Sequence, residues 1–301
     1  MKKPLITVIR NPVAGQRKHG FVDQVIQELE ARGAQIQNLE TVHAGHGEKL
    51  AAEISKQGKA ELIVAAGGDG TIREIVSGLY GGCIPLGIIP AGTANVLARE
   101  LGYTTSGRAS IRQITDILMG DILRPMYPFE VKQGDEKQLG VCWLGAGFDA
   151  TTLEKVTSFW KDKLGRLAFV PAIFRALAKE RKNTGIKWRI DDGGQGRCGW
   201  AVVANVQRYA GPFRLTEMTS ISTPGLACLL FKKTGIWARL VDQACVPFWP
   251  LDKRGSTKIL ASGSITIGNE ETPLQLDGDY IGKGSAIITP LSLPLAVKSG
   301  E

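Results

Sequence analysis

The chain has 301 residues, more than one hydrophobic core usually organises, so two domains are expected. Hydrophobic residues make up 43% and charged residues 22% of the sequence, which excludes fibrous and intrinsically disordered classes. The five cysteines are widely separated and never form a C-x-x-C pair, which argues against a disulfide framework or a zinc site and favours the cytoplasm.

The first part of the chain alternates short β-branched runs with helical stretches. Strands are predicted at 6–10, 62–66 and 86–89, and helices near 19–33, from residue 71 and from residue 93. The first run is taken as a strand rather than a signal peptide because Arg10 interrupts it. This alternation predicts a parallel sheet with helices on its faces, which binds ligands at the carboxyl ends of its strands.

From about Leu123 the pattern changes to alternating runs separated by Gly, Asp and Ser, which predicts a mainly antiparallel β domain. One helical insertion, at approximately 149–182, interrupts it. The predicted fold is therefore α/β with two domains. An N-terminal parallel-sheet domain covers 1–121, a mainly antiparallel β domain with the helical insertion covers 122–292, and the tail 293–301 can return to the first domain.

Basic residues concentrate in one segment. Between Lys155 and Arg189 there are ten Lys or Arg and two acidic residues, an excess equal to the net charge of +8. A basic face attracts phosphate, whether in nucleic acid, nucleotide or anionic lipid headgroups. A solvated helical surface is the alternative. The longest apolar helical run, 167–174, is far shorter than the roughly 20 residues that span a membrane.

The strongest motif is Gly67-Gly68-Asp69-Gly70-Thr71, which follows a buried apolar strand and opens a helix. Glycines let backbone N–H groups approach phosphate oxygens, and a helix N-terminus adds the positive end of its dipole. Asp69 is the only anion in this loop, so beside phosphates it is expected to hold magnesium, Mg²⁺, through water. The alternative is a tight turn in which Asp69 caps the helix.

Two more loops have a similar form. Asn11-Pro12-Val13-Ala14-Gly15 follows the first strand, and Arg17 and Lys18, just beyond it, can reach phosphate. Pro90-Ala91-Gly92-Thr93-Ala94-Asn95 follows the third predicted strand, with Thr93 at a helix start. Either loop taken alone is also compatible with a plain strand–helix turn.

Together these three loops, in this order and spacing, resemble the catalytic-domain family of diacylglycerol kinases, lipid kinases related to sphingosine kinases. The likeness continues through Gly145-Ala146-Gly147-Phe148-Asp149-Ala150 and Leu276-Asp277-Gly278-Asp279. The resemblance implies that ATP, Mg²⁺ and substrate meet between a nucleotide-binding domain and a lipid-substrate domain. It also implies that Asn11, Thr41, the Gly67–Thr71 loop and Thr93 line the nucleotide.

The family's general base lies in a D-G-E motif, which here reads Asp277-Gly278-Asp279. A carboxylate suits this role because the acceptor hydroxyl must lose its proton as the new P–O bond forms. The resemblance implies that Asp279 is the general base and that Asp277 is its competitor for that role. It also implies that Asp69 is a third catalytic residue. A D-G hairpin turn is the alternative reading of the motif.

The sequence departs from the family pattern at several positions. Asp279 is one methylene shorter than the usual Glu, and Gln16 replaces a basic residue whose role can pass to Arg17 or Lys18. The segment that usually binds a second Mg²⁺ reads Pro224-Gly225-Leu226, and proline has no side-chain ligand. A second structural Mg²⁺ is therefore not expected.

The expected function is transfer of the γ-phosphoryl group of ATP to a lipid hydroxyl such as that of diacylglycerol. The alternatives are a soluble-substrate kinase of the NAD kinase type and a non-catalytic nucleotide or lipid regulator. The expected partners are a lipid substrate and, through residues 155–189, an anionic membrane surface, but no nucleic acid. The expected location is cytoplasmic with peripheral membrane association, and a homodimer is left open.

Overall fold

The computed structural model describes residues 3–14, 19–105, 109–154, 185–191, 194–232, 253 and 256–300. The chain divides into two compact units, Met1–Met126 with Leu293–Glu301, and Tyr127–Ser292. No helix in the described ranges is long and apolar enough to cross a membrane. In chain order, the elements are β1 (Leu5–Arg10), α1 (His19–Ala31), β2 (Gln35–Glu40), α2 (His46–Gln57), β3 (Leu62–Gly67), α3 (Asp69–Leu79), β4 (Leu86–Pro90), α4 (Val96–Glu100), α5 (Ala109–Met119), β5 (Leu123–Met126), β6 (Phe129–Gln133), β7 (Glu136–Gly140), β8 (Trp143–Ala146), α6 (Phe148–Leu153), β9 (Ile186–Ile190), β10 (Gly194–Cys198), β11 (Trp200–Ala204), β12 (Arg208–Tyr209), β13 (Phe213–Arg214), β14 (Leu226–Phe231), β15 (Ser256–Ala261), β16 (Ile265–Leu276), β17 (Asp279–Pro290) and β18 (Leu295–Lys298).

The first unit is built on a sheet with the strand order β2-β1-β3-β4-β18-β5. Strands β1 to β4 and β18 are parallel, and β5 pairs antiparallel with β18. Strand β3 is buried along its whole length, in keeping with its continuous apolar sequence. Helix α1 contacts α5, and α2 contacts α3, as right-handed crossovers on the two faces of a sheet require.

The strand order of this sheet reverses between β1 and β3. From β1 the chain moves outward to β2, and it then returns past β1 to continue with β3 and β4. Such a reversal leaves a crevice at the carboxyl ends of the two central strands, where ligands of open α/β sheets bind. The loops that follow β1 and β3 are the ones that carry Asn11 and Gly67–Thr71.

The last strand of the chain, β18, lies between β4 and β5 in this sheet. The Tyr103 hydroxyl donates to the Lys298 carbonyl (3.1 Å), and the Ser299 hydroxyl donates to the Leu101 carbonyl (3.2 Å). The ammonium group of Lys298 donates to the carbonyl of Gly120. The residues that follow Leu293 thus complete the sheet of the first unit, as does β5, which lies beyond the composition shift at Gly120.

The second unit is a mainly antiparallel sheet with the order β15-β14-β11-β8-β16-β17-β6-β7, and β9 joins it through β16. Its core is formed by inward-facing apolar residues of these strands, among them Phe129, Leu144, Val203, Leu230 and Ile267. The predicted α/β class, with a parallel N-terminal sheet and a mainly antiparallel C-terminal domain, is therefore confirmed. Of the predicted helical insertion, α6 lies within the described residues and 155–184 lies outside them.

Strands β16 and β17 form a long hairpin that ends in a two-residue turn. Leu276 pairs with Asp279, which leaves Asp277 and Gly278 as the turn residues. Both have positive φ, 52° and 91°, as a type I′ turn requires. The hairpin interpretation of the D-G dipeptide is therefore correct, and the question of chemistry is left to the two aspartates.

Replacement of Leu295 by alanine is expected to destabilise the first unit by about 2–5 kcal/mol, because it leaves a cavity beside β4 and β5. Leu295 is buried and Leu293, two residues earlier, is 51% exposed. Leu293→Ala is the matched control and is expected to change stability by less than about 0.5 kcal/mol. Urea unfolding of both variants is the measurement. Equal effects would contradict the place of β18 in the sheet.

Candidate functional site

The loops after β1 and β3 are joined by hydrogen bonds. The N–H group of Asn11 donates to the carbonyl of Ala66 (3.0 Å), and its side-chain amide donates to the hydroxyl of Thr71 (3.2 Å). The amide oxygen of Asn11 also accepts the N–H groups of Val13 and Ala14, which fixes the first loop as a turn. Asn11 and Thr71 are thus brought together as expected.

The loop after β4 joins the same edge through backbone contacts. The carbonyl of Gly67 accepts the N–H groups of Ala91 (2.9 Å) and Gly92 (3.1 Å). A Cβ atom on Gly92 would lie 2.5 Å from the Cα of Gly68, so only glycine permits this approach. The loops that contain Gly67–Thr71 and Thr93 therefore lie side by side at the carboxyl edge of the sheet.

Asp69 is the first residue of α3 and contacts the next helix. Its carboxylate accepts the N–H group of Leu97, in the first turn of α4 (3.2 Å). This bond caps α4, whereas the sequence suggested a cap for the helix that Asp69 itself begins. The carboxylate thus lies at the N-terminal ends of two helices, where partial positive charge stabilises an anion.

Thr93 lies in the third loop and is exposed. The prediction that a helix begins at Thr93 is wrong. Helix α4 begins at Val96 because Asn95 adopts a left-handed conformation with φ of 48°. The side chain of Asn95 binds both the N–H and the carbonyl of Gly92 (2.8 and 2.9 Å), which holds residues 92–95 in a turn.

Thr41 follows β2 and donates its N–H group to the carbonyl of Arg10 (2.9 Å), so this loop reaches the same edge. Glu74 of α3 accepts the N–H groups of Gly45 (2.9 Å) and Gly47 (3.0 Å) and thereby caps α2. Sequence reasoning gave Glu74 no role, although it keeps the family pattern that follows the Gly67–Thr71 loop. The predicted Arg17 and Lys18 lie outside the described residues.

In the second unit, the carboxylate of Asp277 accepts three backbone N–H groups. These belong to Val141 (2.8 Å), Cys142 (2.7 Å) and Trp143 (2.9 Å). Asp277 is 6% exposed, whereas Asp279, the first residue of β17, is exposed. The two aspartates therefore differ in environment. The carboxylate of Asp277 binds buried backbone N–H groups, whereas Asp279 lies at the surface of its unit.

Asp149 is a buried carboxyl group that sequence reasoning left without a role. It accepts the side-chain amide of Gln275 (3.1 Å) and the N–H group of Ala150 (2.8 Å). Burial raises the pKa of Asp149 to about 6, although these hydrogen bonds lower it. Burial and the charge of Asp149 raise the pKa of the neighbouring Tyr209. The signal that could have found Asp149 was its acidic side chain within an otherwise small and apolar motif.

The described residues contain no cluster of three or more His, Cys, Asp or Glu side chains that could hold a metal ion by themselves. A metal at this site would therefore need ligands from water and from a bound phosphate. The carboxylate of Asp69 lies between the loops after β3 and β4.

Comparison with known proteins finds relatives that are named diacylglycerol kinase and acylglycerol kinase. The chain is 34% identical to the diacylglycerol kinase of Bacillus subtilis (strain 168) over 167 residues, 54% of this chain and 52% of that protein. It is 30% identical to the mitochondrial acylglycerol kinase of Xenopus laevis over 170 residues, 51% of this chain and 38% of that protein. The matches thus span about half the length of these relatives, or less.

Among solved structures, the crystal structure of a diacylglycerol kinase from Bacillus anthracis str. Sterne is similar, with a TM-score of 0.69. The match covers 99% of this chain and 98% of that chain at 21% identity, which establishes a shared fold. The family model of the diacylglycerol kinase catalytic domain matches residues 5–125. The resemblance drawn from the motifs is confirmed, since residues 5–125 are similar to the diacylglycerol kinase catalytic domain.

Proposed function

We propose that this chain is an ATP-dependent lipid kinase that transfers the γ-phosphoryl group to a lipid hydroxyl such as that of diacylglycerol. The observation that carries the proposal is the gathering of three glycine-containing loops at one sheet edge, with Asp69 at the start of two helices. The names of the relatives, diacylglycerol kinase and acylglycerol kinase, support a glycerolipid as the acceptor.

The loops at this edge suit the phosphates of a nucleotide. A Cβ atom at Gly67 would meet the side chain of Thr71, and one at Gly92 would meet the Cα of Gly68, so these glycines let the loops pack closely at this edge. The first N–H groups of a helix have no intrahelical acceptor, and α3 begins directly after Gly68. We infer that these groups bind the phosphates, and that Asn11, Thr41, Thr71 and Thr93 line the remainder of the nucleotide site.

Mg²⁺ fits this arrangement when it is held by Asp69 through water together with the phosphates of ATP. Mg²⁺ commonly keeps several waters and takes only one or two protein carboxylates, so a larger acidic cluster is not required. When bound, Mg²⁺ would supply positive charge that offsets the negative charge developing on the phosphates during transfer. The hydrogen bond from Leu97 orients the Asp69 carboxylate for this contact.

Asp279 is proposed as the group that accepts the proton of the lipid hydroxyl. Transfer needs an ionised carboxylate that is open to the acceptor, and Asp279 is exposed at the start of β17. The oxygens of Asp277 instead accept three buried N–H groups, so we assign this residue to holding the turn. Asp277, the competitor for the base, thereby receives a structural role.

Purified protein with radiolabelled ATP is expected to label diacylglycerol and to leave NAD unlabelled. Asp69→Asn is expected to reduce labelling to background, because it removes the charge that holds Mg²⁺. This variant keeps the oxygen that accepts the Leu97 N–H group but loses the charge at the two helix ends, so the loss of stability should be only roughly 0.3–1 kcal/mol. Labelled NADP alone would favour a soluble-substrate kinase. Absence of any labelled product with a total lipid extract would favour a non-catalytic regulator.

Asparagine substitutions should distinguish the roles of Asp277 and Asp279. Asp279→Asn is expected to lower kcat by about 10²–10⁴-fold, the usual contribution of a general base, with little change in stability. Asp277→Asn places an amide donor against a buried N–H donor and is expected to cost roughly 1–3 kcal/mol of folding free energy. Steady-state kinetics and urea unfolding are the measurements. A reversal of the two effects would assign the base to Asp277.

We also propose cytoplasmic, peripheral membrane association through the basic segment 155–189. Residues 155–184 lie outside the described part of the chain, but Lys187 and Arg189 are exposed on β9. Lys187 pairs directly with Arg197 on β10, which is exposed as well. These exposed basic side chains would attract an anionic surface.

In a flotation assay with vesicles that contain phosphatidylserine, a smaller fraction of the triple variant Lys187→Gln/Arg189→Gln/Arg197→Gln than of the wild type is expected to float with the vesicles. The reason is the loss of roughly 1 kcal/mol of attraction for each basic residue near the surface. A control variant removes the same charge from exposed lysines of the first unit, at positions Lys49, Lys56 and Lys59. Equal flotation of the two triple variants would contradict the proposed surface.

A further inference from the structure

The side chain of Gln275 connects Asp149 to the turn that precedes Asp279. Gln275 is 1% exposed, and its amide oxygen accepts the N–H group of Gly278 (2.8 Å). Its amide nitrogen donates to the carboxylate of Asp149 (3.1 Å). An amide has one accepting and one donating end, so Asp149 fixes which end of Gln275 faces the turn.

The sheet has a space for this connection. Gln275 of β16 pairs with Gly145 of β8, which has no side chain. A Cβ atom at Gly145 would collide with the carboxylate of Asp149 and would lie 2.5 Å from the amide nitrogen of Gln275. The absence of a side chain at position 145 thus admits the Asp149–Gln275 hydrogen bond into the buried side of the sheet.

With this connection, both turn residues, Asp277 and Gly278, are held by hydrogen bonds to residues of the sheet and its connections. Asp277 donates its N–H group to the Trp143 carbonyl (3.0 Å), and its carboxylate accepts three N–H groups in return. Gln275 then satisfies Gly278, the second turn residue. Asp279 follows immediately, so the direction in which it leaves the turn depends on these bonds.

The ionisation of Asp149 makes the free energy of unfolding lower near neutral pH than at acidic pH. Because burial raises its pKa to about 6, the folded state holds its proton more tightly than the unfolded state. The stability that this gives is present below the ordinary aspartate pKa and is lost as the pH rises through about 6. Tyr209, the titratable side chain that faces Asp149, has its pKa raised above its ordinary value of 10.0 and stays neutral throughout.

We propose that Gln275 and Asp149 are positioning residues for phosphoryl transfer, which hold the Asp277-Gly278 turn so that Asp279 meets the lipid hydroxyl. The inference rests on the proposed function of Asp279 as proton acceptor. Neither residue is assigned a contact with substrate, since both are buried. Their contribution is orientation, and displacement of a reacting group by about 1 Å can cost on the order of 100-fold in rate.

The first test is Gln275→Glu, which places a second carboxyl group against Asp149 while it keeps the acceptor for Gly278. At pH 6 the two carboxyls are expected to share one proton and to hold the turn, so kcat stays close to that of the wild type. The like charge raises the pKa of the shared proton further above 6, so the second measurement is made at pH 9.5. There both carboxyls are expected to ionise and to repel, and kcat falls by roughly 10–100-fold relative to the wild type at the same pH. The KM for ATP is expected to stay unchanged.

The second test is the exchange variant Asp149→Asn/Gln275→Glu. The amide of the new residue 149 can donate to the new carboxylate at 275, which still accepts the Gly278 N–H group, so the hydrogen bond is restored with its direction reversed. Most of the kcat lost at pH 9.5 should return. A purely structural role would move the melting temperature of Gln275→Glu without this pH-dependent loss and rescue in kcat.

Two results would overturn the positioning role. One is an unchanged kcat of Gln275→Glu at both pH values in a folded protein, and the other is a loss that the exchange variant fails to restore. A wild-type chain without lipid kinase activity would instead contradict the proposed function itself. Melting temperatures of all variants, measured at both pH values, establish that the compared proteins are folded.

Discussion

The site of the first unit depends on the close approach of the loops after β3 and β4. The Gly67 carbonyl accepts two N–H groups of the neighbouring loop, and Gly68 and Gly92 touch where no side chain fits. This contact places the starts of α3 and α4 together, and the carboxylate of Asp69 then joins them through Leu97. The position of the Asp69 carboxylate therefore follows from the backbone contacts between these two loops.

The second unit fixes the Asp277-Gly278 turn by a different physical means. A type I′ turn at the end of a long hairpin is usually held only by its own strands, and its residues are solvated. Here Asp277 is buried and accepts the N–H groups of Val141 and Cys142, between β7 and β8, and of Trp143, the first residue of β8, while Gln275 accepts a fourth from Gly278. These hydrogen bonds hold the turn that precedes Asp279, because a buried N–H group left unpaired would cost free energy.

Local patterns were sufficient to predict the fold class and the loops of the first unit. Buried β-branched runs followed by glycine-rich turns specify strand ends, and parallel strands bring such ends to one edge. The late start of α4 was not predicted because it depends on the left-handed Asn95. The capping of α4 by Asp69, and the link from Asp149 to Gln275, involve residues 28 and 126 positions apart, and no local pattern encodes such contacts. Likewise, D-G predicted a hairpin, but the burial of Asp277 depends on another strand pair.

The most direct test of the account is a crystal structure of this chain grown with ADP and Mg²⁺. The account predicts phosphate density within hydrogen-bonding distance of the backbone N–H groups at the start of α3 and in the loop that contains Gly92. It also predicts Mg²⁺ between the phosphates and Asp69, joined through water. Nucleotide bound elsewhere, with no phosphate contact to either loop, would contradict the assignment of this sheet edge as the nucleotide site.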